Sequence, residues 1–138
     1  MTIVAIDYGK RRLGIAAADT STRVVLPDGV IERHSIKRDH IKLRARFEEL
    51  EATQVIIGLP LNMDGATGPA ALAARKFAQI VQDATGLDVQ VFDERLSTFE
   101  AKERLKTTSK HNRRRTRVDA VAAAVILEAW LDNQRMAR

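Results

Sequence analysis

MTIVAIDYGKRRLGIAAAD, residues 1–19, decides the fold. Ile3 to Asp7 is almost unbroken apolar sequence, and a strand without polar alternation is one buried on both faces, so the segment belongs in the middle of a sheet. It ends in a carboxylate. By period-two alternation Asp7 shares a face with Ile3 and Ala5, and a charge at the end of such a strand is costly unless it is paired or bound to a metal. The polar turn Tyr8 to Arg12 follows, then a second apolar run, Leu13 to Ala18, and a third, Val24 to Ile31, interrupted by ProAspGly at 27–29. Three such strands with short connections predict a hairpin meander.

Downstream the period changes. Apolar positions 36, 43, 47 and 50 fall near helical spacing with charges between them, which predicts an amphipathic helix from Ile36 to about Leu50. Gln54 to Gly58 reads as a short buried strand that runs into GLPLNMDG, residues 58–65. Pro69 suits the first position of the next helix and Gly86 its stop; its predicted apolar face uses Ala70, Ala73, Phe77, Ile80, Val81 and Ala84. A fifth strand is expected from Val89 to Asp93 or Glu94. Ser97 with Glu100 three residues on is a capping-box signature for a helix to about Lys106, and Thr116 to about Asn133 reads as a long helix rich in Ala, Val, Ile and Leu. The order gives an α/β fold, a five-stranded mixed sheet flanked by helices. Ligands in such sheets gather beyond the carboxyl ends of the parallel strands.

Composition narrows the chemistry. The 138 residues fit one domain, 1–138. Aromatics make up only 4% of the chain, which argues against a base-stacking platform. With no cysteine there is no thiolate zinc site, and His34, His40 and His111 lack helical ligand spacing, so a bound metal would be held by carboxylate oxygen; that favours Mg²⁺ or Mn²⁺. No run reaches the roughly 18–20 apolar residues that span a bilayer, and MTIVAIDYG lacks the pattern of a signal peptide; a cytoplasmic protein with no membrane partner is expected. The net charge of +5 is concentrated. Between Lys102 and Arg117 eight basic residues face one acid, a local balance of +7 that leaves the rest of the chain at −2. Such a segment is either a solvated helix face with a basic loop or the footprint of a polyanion binder.

Three acids are candidates for that chemistry: Asp7, Glu94 at the end of strand five, and Asp119 at the start of an apolar stripe running through Ala122, Ala123, Ile126 and Trp130. Singly, each has a structural explanation. Asp7 can cap the turn after it, Glu94 can pair with Arg95 or the arginine run, and Thr116 with Asp119 is itself a capping-box pattern at a helix start. Together, carboxylates at two strand ends and a buried helix start could converge at one sheet edge. Two divalent ions about 3.5–4 Å apart, bridged by carboxylate, would hydrolyse a phosphodiester there. Lys10, Arg11, Arg12 and the 102–117 segment would hold its backbone, with little sequence information.

AIDYGKRRLGIA (5–16), IIGLPLNMDG (56–65), DERLST (93–98) and VDAVAAAVILE (118–128), in this order, closely resemble the YqgF/RuvX family of the RNase H-like superfamily. The likeness covers essentially the whole chain. It implies an RNase H-like fold and metal-dependent nuclease chemistry, with Asp7, Glu94 and Asp119 matching the acidic, metal-binding positions. It also implies nucleic acid as partner, in either of two associated activities: maturation of the 5′ end of pre-16S ribosomal RNA, or resolution of four-way DNA junctions. The candidate nucleic-acid contacts are Lys10, Arg11, Arg12, Asn62, Lys110, Arg113, Arg114, Arg115 and Arg117. One departure stands out. Related junction resolvases place two acids in the last helix, whereas AVAAAV after Asp119 contains none, leaving water, substrate phosphate, Asp64 or Asp93 as a fourth ligand. A junction resolvase would need two symmetric sites, hence a homodimer, while trimming one RNA strand needs only a monomer.

Two other classes compete. AspXaaGly before a strand resembles the phosphate loop of actin-like and sugar-kinase ATPases, but Ile15 and Ala16 follow GxxxxG where a P-loop has Lys and Ser or Thr, and the chain is short for paired domains. A non-catalytic RNA-binding, ribosome-assembly factor would keep the basic surface, yet the three intact carboxylates argue against it.

Overall fold

The computed structural model describes residues 1–60, 65, 67–96 and 115–136, with side-chain surroundings from 119 to 135 in the last stretch. Its elements are β1 (Thr2–Tyr8), β2 (Arg12–Asp19), β3 (Val25–Glu32), α1 (Ile36–Leu50), β4 (Ala52–Leu59), α2 (Pro69–Thr85), β5 (Asp88–Asp93), a 3₁₀ turn (Glu94–Leu96) and α3 (Arg115–Met136). The strands form one mixed sheet in the order β3-β2-β1-β4-β5. β1 lies in the middle, antiparallel to β2 and parallel to β4, while β5 is parallel to β4 and β3 antiparallel to β2. The carboxyl ends of β1, β4 and β5 therefore share one edge. The helix expected from Ser97 to about Lys106 lies outside the described residues. Among those described, no helix is long and apolar enough to cross a membrane.

The two faces of β1 are both covered, which is why its sequence carries no alternation. Val4 and Ile6, with Leu13, Ile15, Val55 and Ile57, pack against Leu43 and Phe47 of α1 and Phe77 and Val81 of α2. On the other face Ile3, Ala5, Ala16, Ala18, Ile56 and Phe92 meet Ala123, Ala124, Leu127 and Trp130 of α3. Fully burying each larger side chain contributes about 1.5–3 kcal/mol, and the alanines beneath α3 leave little bulk between helix and sheet.

Three local expectations are corrected. ProAspGly does not interrupt β3: Ile15 is opposite Gly29 and Ala16 opposite Pro27, so Asp28 is an extra residue in a β-bulge on an edge strand, where proline removes no ladder bond. Arg46 of α1 fixes the bulge with two guanidinium bonds to Asp28, the Nε bond being 2.7 Å. In α1, capped at its start by the Ser35 hydroxyl, Ile36 is exposed and the buried stripe runs Asp39, Leu43, Phe47. In α2 the buried residues are Ala71, Ala74, Phe77, Ala78 and Val81, while Ala70 and Ala84 are exposed. Alanines on every side of that helix leave the phase of its apolar stripe undetermined by sequence. Its ends are as read: Pro69 opens it, and Gly86 at φ 73° donates its N–H to the Gln82 carbonyl.

Candidate active site

The site is built from glycines. Asp7 of β1 pairs in register with Gly14 of β2. On its other side Ile6 is opposite Ile57, which brings Gly58 of β4 alongside Asp7. Asp7 thus stands between two residues without side chains. A Cβ at Gly14 would run into the carbonyl oxygen of Asp119 and sit 3.1 Å from the Ala120 nitrogen; the first turns of α3 rest directly on β2. A Cβ at Gly58 would run into the Glu94 carboxylate and come within 2.6 Å of Ile126 Cδ1. Asp119 and Glu94 therefore approach over the two glycines that flank Asp7, one from the helix and the other from the turn after β5.

This arrangement sets the electrostatics. Asp7 is half-buried, and its carboxyl is pushed above the usual carboxylate range, first by burial and then by the negative charge of Asp119. Asp119 accepts a 2.7 Å hydrogen bond from Arg12 Nε, with both side chains about one-third exposed at 35% and 28%. Arg12, read from sequence as a phosphate ligand, here neutralises Asp119, while its neighbours Lys10 and Arg11 are exposed. Asp93, considered above as a further ligand, accepts from the Arg95 N–H at 2.9 Å and from its guanidinium at 2.7 Å, and these bonds hold its carboxyl below the usual range. Asp93 thus forms an ion pair with Arg95.

Among the described residues no three Asp, Glu or His side chains lie close enough together to hold a metal ion as they stand. The structure couples Asp7 to Asp119 and brings Glu94 to the adjacent glycine. Asn62, Asp64, Lys110, Arg113 and Arg114 lie outside the described residues; Arg115 and Arg117 fall in the first turn of α3, where only the backbone is described. Sequence reasoning missed Gly14 and Gly58 as site residues. The signal was available, since a lone glycine inside an apolar strand marks a close approach of other atoms.

Gly58→Ala is expected to force Glu94 or Ile126 aside and to destabilise the protein by about 1–3 kcal/mol, the range for overpacking. Thermal unfolding checks this; a melting temperature equal to the parent's would mean that the Glu94 side chain yields without cost.

A five-stranded mixed sheet in this strand order, with helices on both faces, is of the RNase H-like class of folds. Solved structures agree. Thermus thermophilus RuvC aligns over 99% of this chain and 97% of its own with a TM-score of 0.71 at 12% identity, and fowlpox virus resolvase, in complex with Holliday junction DNA, over 99% of each with a TM-score of 0.60 at 12% identity. At such identity the likeness is one of fold. The RuvX family, described as Holliday junction resolvase, matches residues 1–133, and the chain belongs to that family. A relative from Anaeromyxobacter sp. (strain Fw109-5) is 44% identical over 135 residues, covering 97% of this chain and 98% of the relative. Another, from Myxococcus xanthus (strain DK1622), is 40% identical over 136 residues, covering 98% and 90%. Both are named as candidate pre-16S rRNA nucleases.

Proposed function

We propose that the chain is a metal-dependent nuclease that hydrolyses phosphodiester bonds in precursor 16S ribosomal RNA to mature its 5′ end, with Asp7, Glu94 and Asp119 as its catalytic acids. The observation that carries this reading is the glycine-flanked Asp7, beside which Asp119 lies close enough to raise its carboxyl. Relatives at 40% and 44% identity, named as candidate pre-16S rRNA nucleases, support the choice of substrate.

The donor set fits a hard divalent cation, Mg²⁺ or Mn²⁺: its oxygens are carboxylate, the chain has no thiolate, and the negative charge of Asp119 acts on the Asp7 carboxyl. Asp7, Asp119 and Glu94 would hold it, and when bound it supplies an activated water and charge stabilisation at the leaving oxygen. The protein's own part is to orient and to grip. Asp7 is fixed by its place in the central strand, and Asp119 by the seating of α3 on Gly14. Lys10 and Arg11, with Asn62, Lys110, Arg113, Arg114, Arg115 and Arg117, hold the phosphate backbone. Arg12 joins them once Asp119 has another cation to face.

That exchange gives a prediction with two opposite signs. Arg12→Gln removes the competitor for Asp119, so calorimetric affinity for Mn²⁺ is expected to rise several-fold, while RNA affinity falls and the slope of log K against log salt loses about 0.7–0.9, one phosphate contact. Parallel changes in both affinities would show that Arg12 serves only the ion pair.

A second reading, cleavage of four-way DNA junctions, is favoured by the description of the family itself. The deciding experiment offers the protein Mg²⁺ or Mn²⁺ with a precursor 16S rRNA fragment, a matched single-stranded RNA and a four-way junction. Cleavage of the precursor alone, by a monomer, is expected. Symmetric junction cleavage by a homodimer would transfer the reading to resolution, and cleavage of none would leave a non-catalytic RNA-binding factor.

A further inference from the structure

We infer that Arg33 is a positioning residue for the basic turn after Asp7, a clamp that sets where Lys10, Arg11 and Arg12 present their charges; this rests on the nuclease reading above. The turn from Tyr8 to Arg12 carries three consecutive cations that repel one another; it is flanked by the Tyr8–Leu13 pair of β1 and β2, and within it the Gly9 N–H donates to the Arg12 carbonyl at 3.1 Å. Arg33, just past the end of β3, supplies two more bonds. Its backbone N–H donates to the Arg11 carbonyl at 2.8 Å and its Nη1 to the Gly9 carbonyl at 2.9 Å.

Placing a fourth cation beside three others needs compensation, and the opposite face of the sheet from Asp119 provides it. The guanidinium lies over the Tyr8 ring at 4.6 Å and near the Phe77 ring at 6.0 Å, in the range of cation–π attraction. Its Nε faces Asp39 Oδ2 at 3.5 Å. Asp39 is only 1% exposed and occupies a position of α1 where the buried stripe calls for an apolar residue. Burying an acid there is costly without partners. Its partners are Arg33 and the His34 N–H, which donates to Oδ1 at 3.0 Å. The acid in the core thus orients the arginine, and the arginine fixes the turn.

The test compares wild type with Arg33→Lys, Arg33→Met and Asp39→Asn. A lysine keeps the charge over Tyr8, but one ammonium cannot bridge the Gly9 carbonyl and Asp39 together, so Arg33→Lys should fall between wild type and Arg33→Met. Kd for labelled RNA, read by fluorescence anisotropy, is expected to rise about tenfold in Arg33→Met, with a shallower salt slope. In cleavage KM should rise with little change in kcat. The loss should shrink in an Arg12→Gln background, since the clamp acts through the turn. Amide exchange reads the clamp without reference to RNA: residues 9–12 and 33 should exchange faster in Arg33→Lys. Unchanged exchange there, or folded variants with wild-type Kd and KM, overturns the inference, and Arg33→Lys decides it if Arg33→Met does not fold. Wild-type protein that neither binds nor cleaves RNA overturns the nuclease reading and the clamp's role with it, whatever the exchange shows.

Discussion

Asp7→Asn is expected to reduce phosphodiester cleavage by a hundredfold or more while raising the melting temperature of the metal-free protein at neutral pH. The rate loss follows from removing one preorganised charge at the reacting centre, which costs on the order of 10²–10³ in related electrostatic sites. The gain in stability follows from linkage. Burial and the Asp119 charge raise the Asp7 carboxyl above its ordinary value of 3.8, so the folded state binds this proton more tightly than the unfolded chain does. Stability from this group is then greatest below the unfolded pKa. It falls as pH rises from about 3.8 through the raised folded value, and above that the ionised carboxylate is a constant penalty. Asparagine has nearly the same shape and no charge, so it escapes the penalty. Melting curves of both proteins should diverge as pH rises through that window and coincide below it, and added Mn²⁺ should reverse their order by stabilising the wild type. An Asn variant that melts lower at pH 7 without metal would mean that the carboxylate is held by a structural partner.

The second large effect is expected at Gly14. A methyl group there meets backbone, the Asp119 carbonyl and the Ala120 nitrogen, rather than a side chain able to swing away. The start of α3 must lift off β2. Overpacking of this kind costs about 3 kcal/mol or more, and Gly14→Ala should lower the melting temperature by roughly 10 °C. Asp119 moves with the helix, and a displacement of about 1 Å at a catalytic group costs on the order of a hundredfold in rate. Gly29→Ala is the control, because a Cβ at Gly29 meets nothing within 4 Å. If Gly14→Ala proves as harmless as Gly29→Ala in unfolding and in single-turnover cleavage, the seating of α3 on β2 does not position Asp119.

Much of the fold is legible because local sequence obeys rigid geometry. β1 reads as central from its lack of alternation, and the face of Asp7 follows from the pleat, which puts Ile3, Ala5 and the acid on the side of α3. α2 declares its ends through Pro69 and Gly86. What escapes is whatever depends on a distant partner. The stripe of α2 is ambiguous because alanine suits either face, and nothing local in the sequence marks Asp39 as buried, since its partners Arg33 and His34 are brought to it by the fold. The pairing of Arg12 with Asp119 spans 107 residues, so no local pattern announces it. The acids themselves are visible at strand and helix ends. What lets Asp119 and Glu94 come close to Asp7 is two glycines whose role appears only once β2, β1 and β4 are side by side.

The proposed nuclease requires Asp7 and Asp119 to act in one hydrolytic centre. Single-turnover cleavage of a precursor 16S rRNA fragment by Asp7→Asn, Asp119→Asn and the double variant checks this. Groups that act as a unit fail as a unit, so the double variant should be no slower than the slower single one. Losses that multiply, or a single variant that cleaves at the wild-type rate, would contradict it.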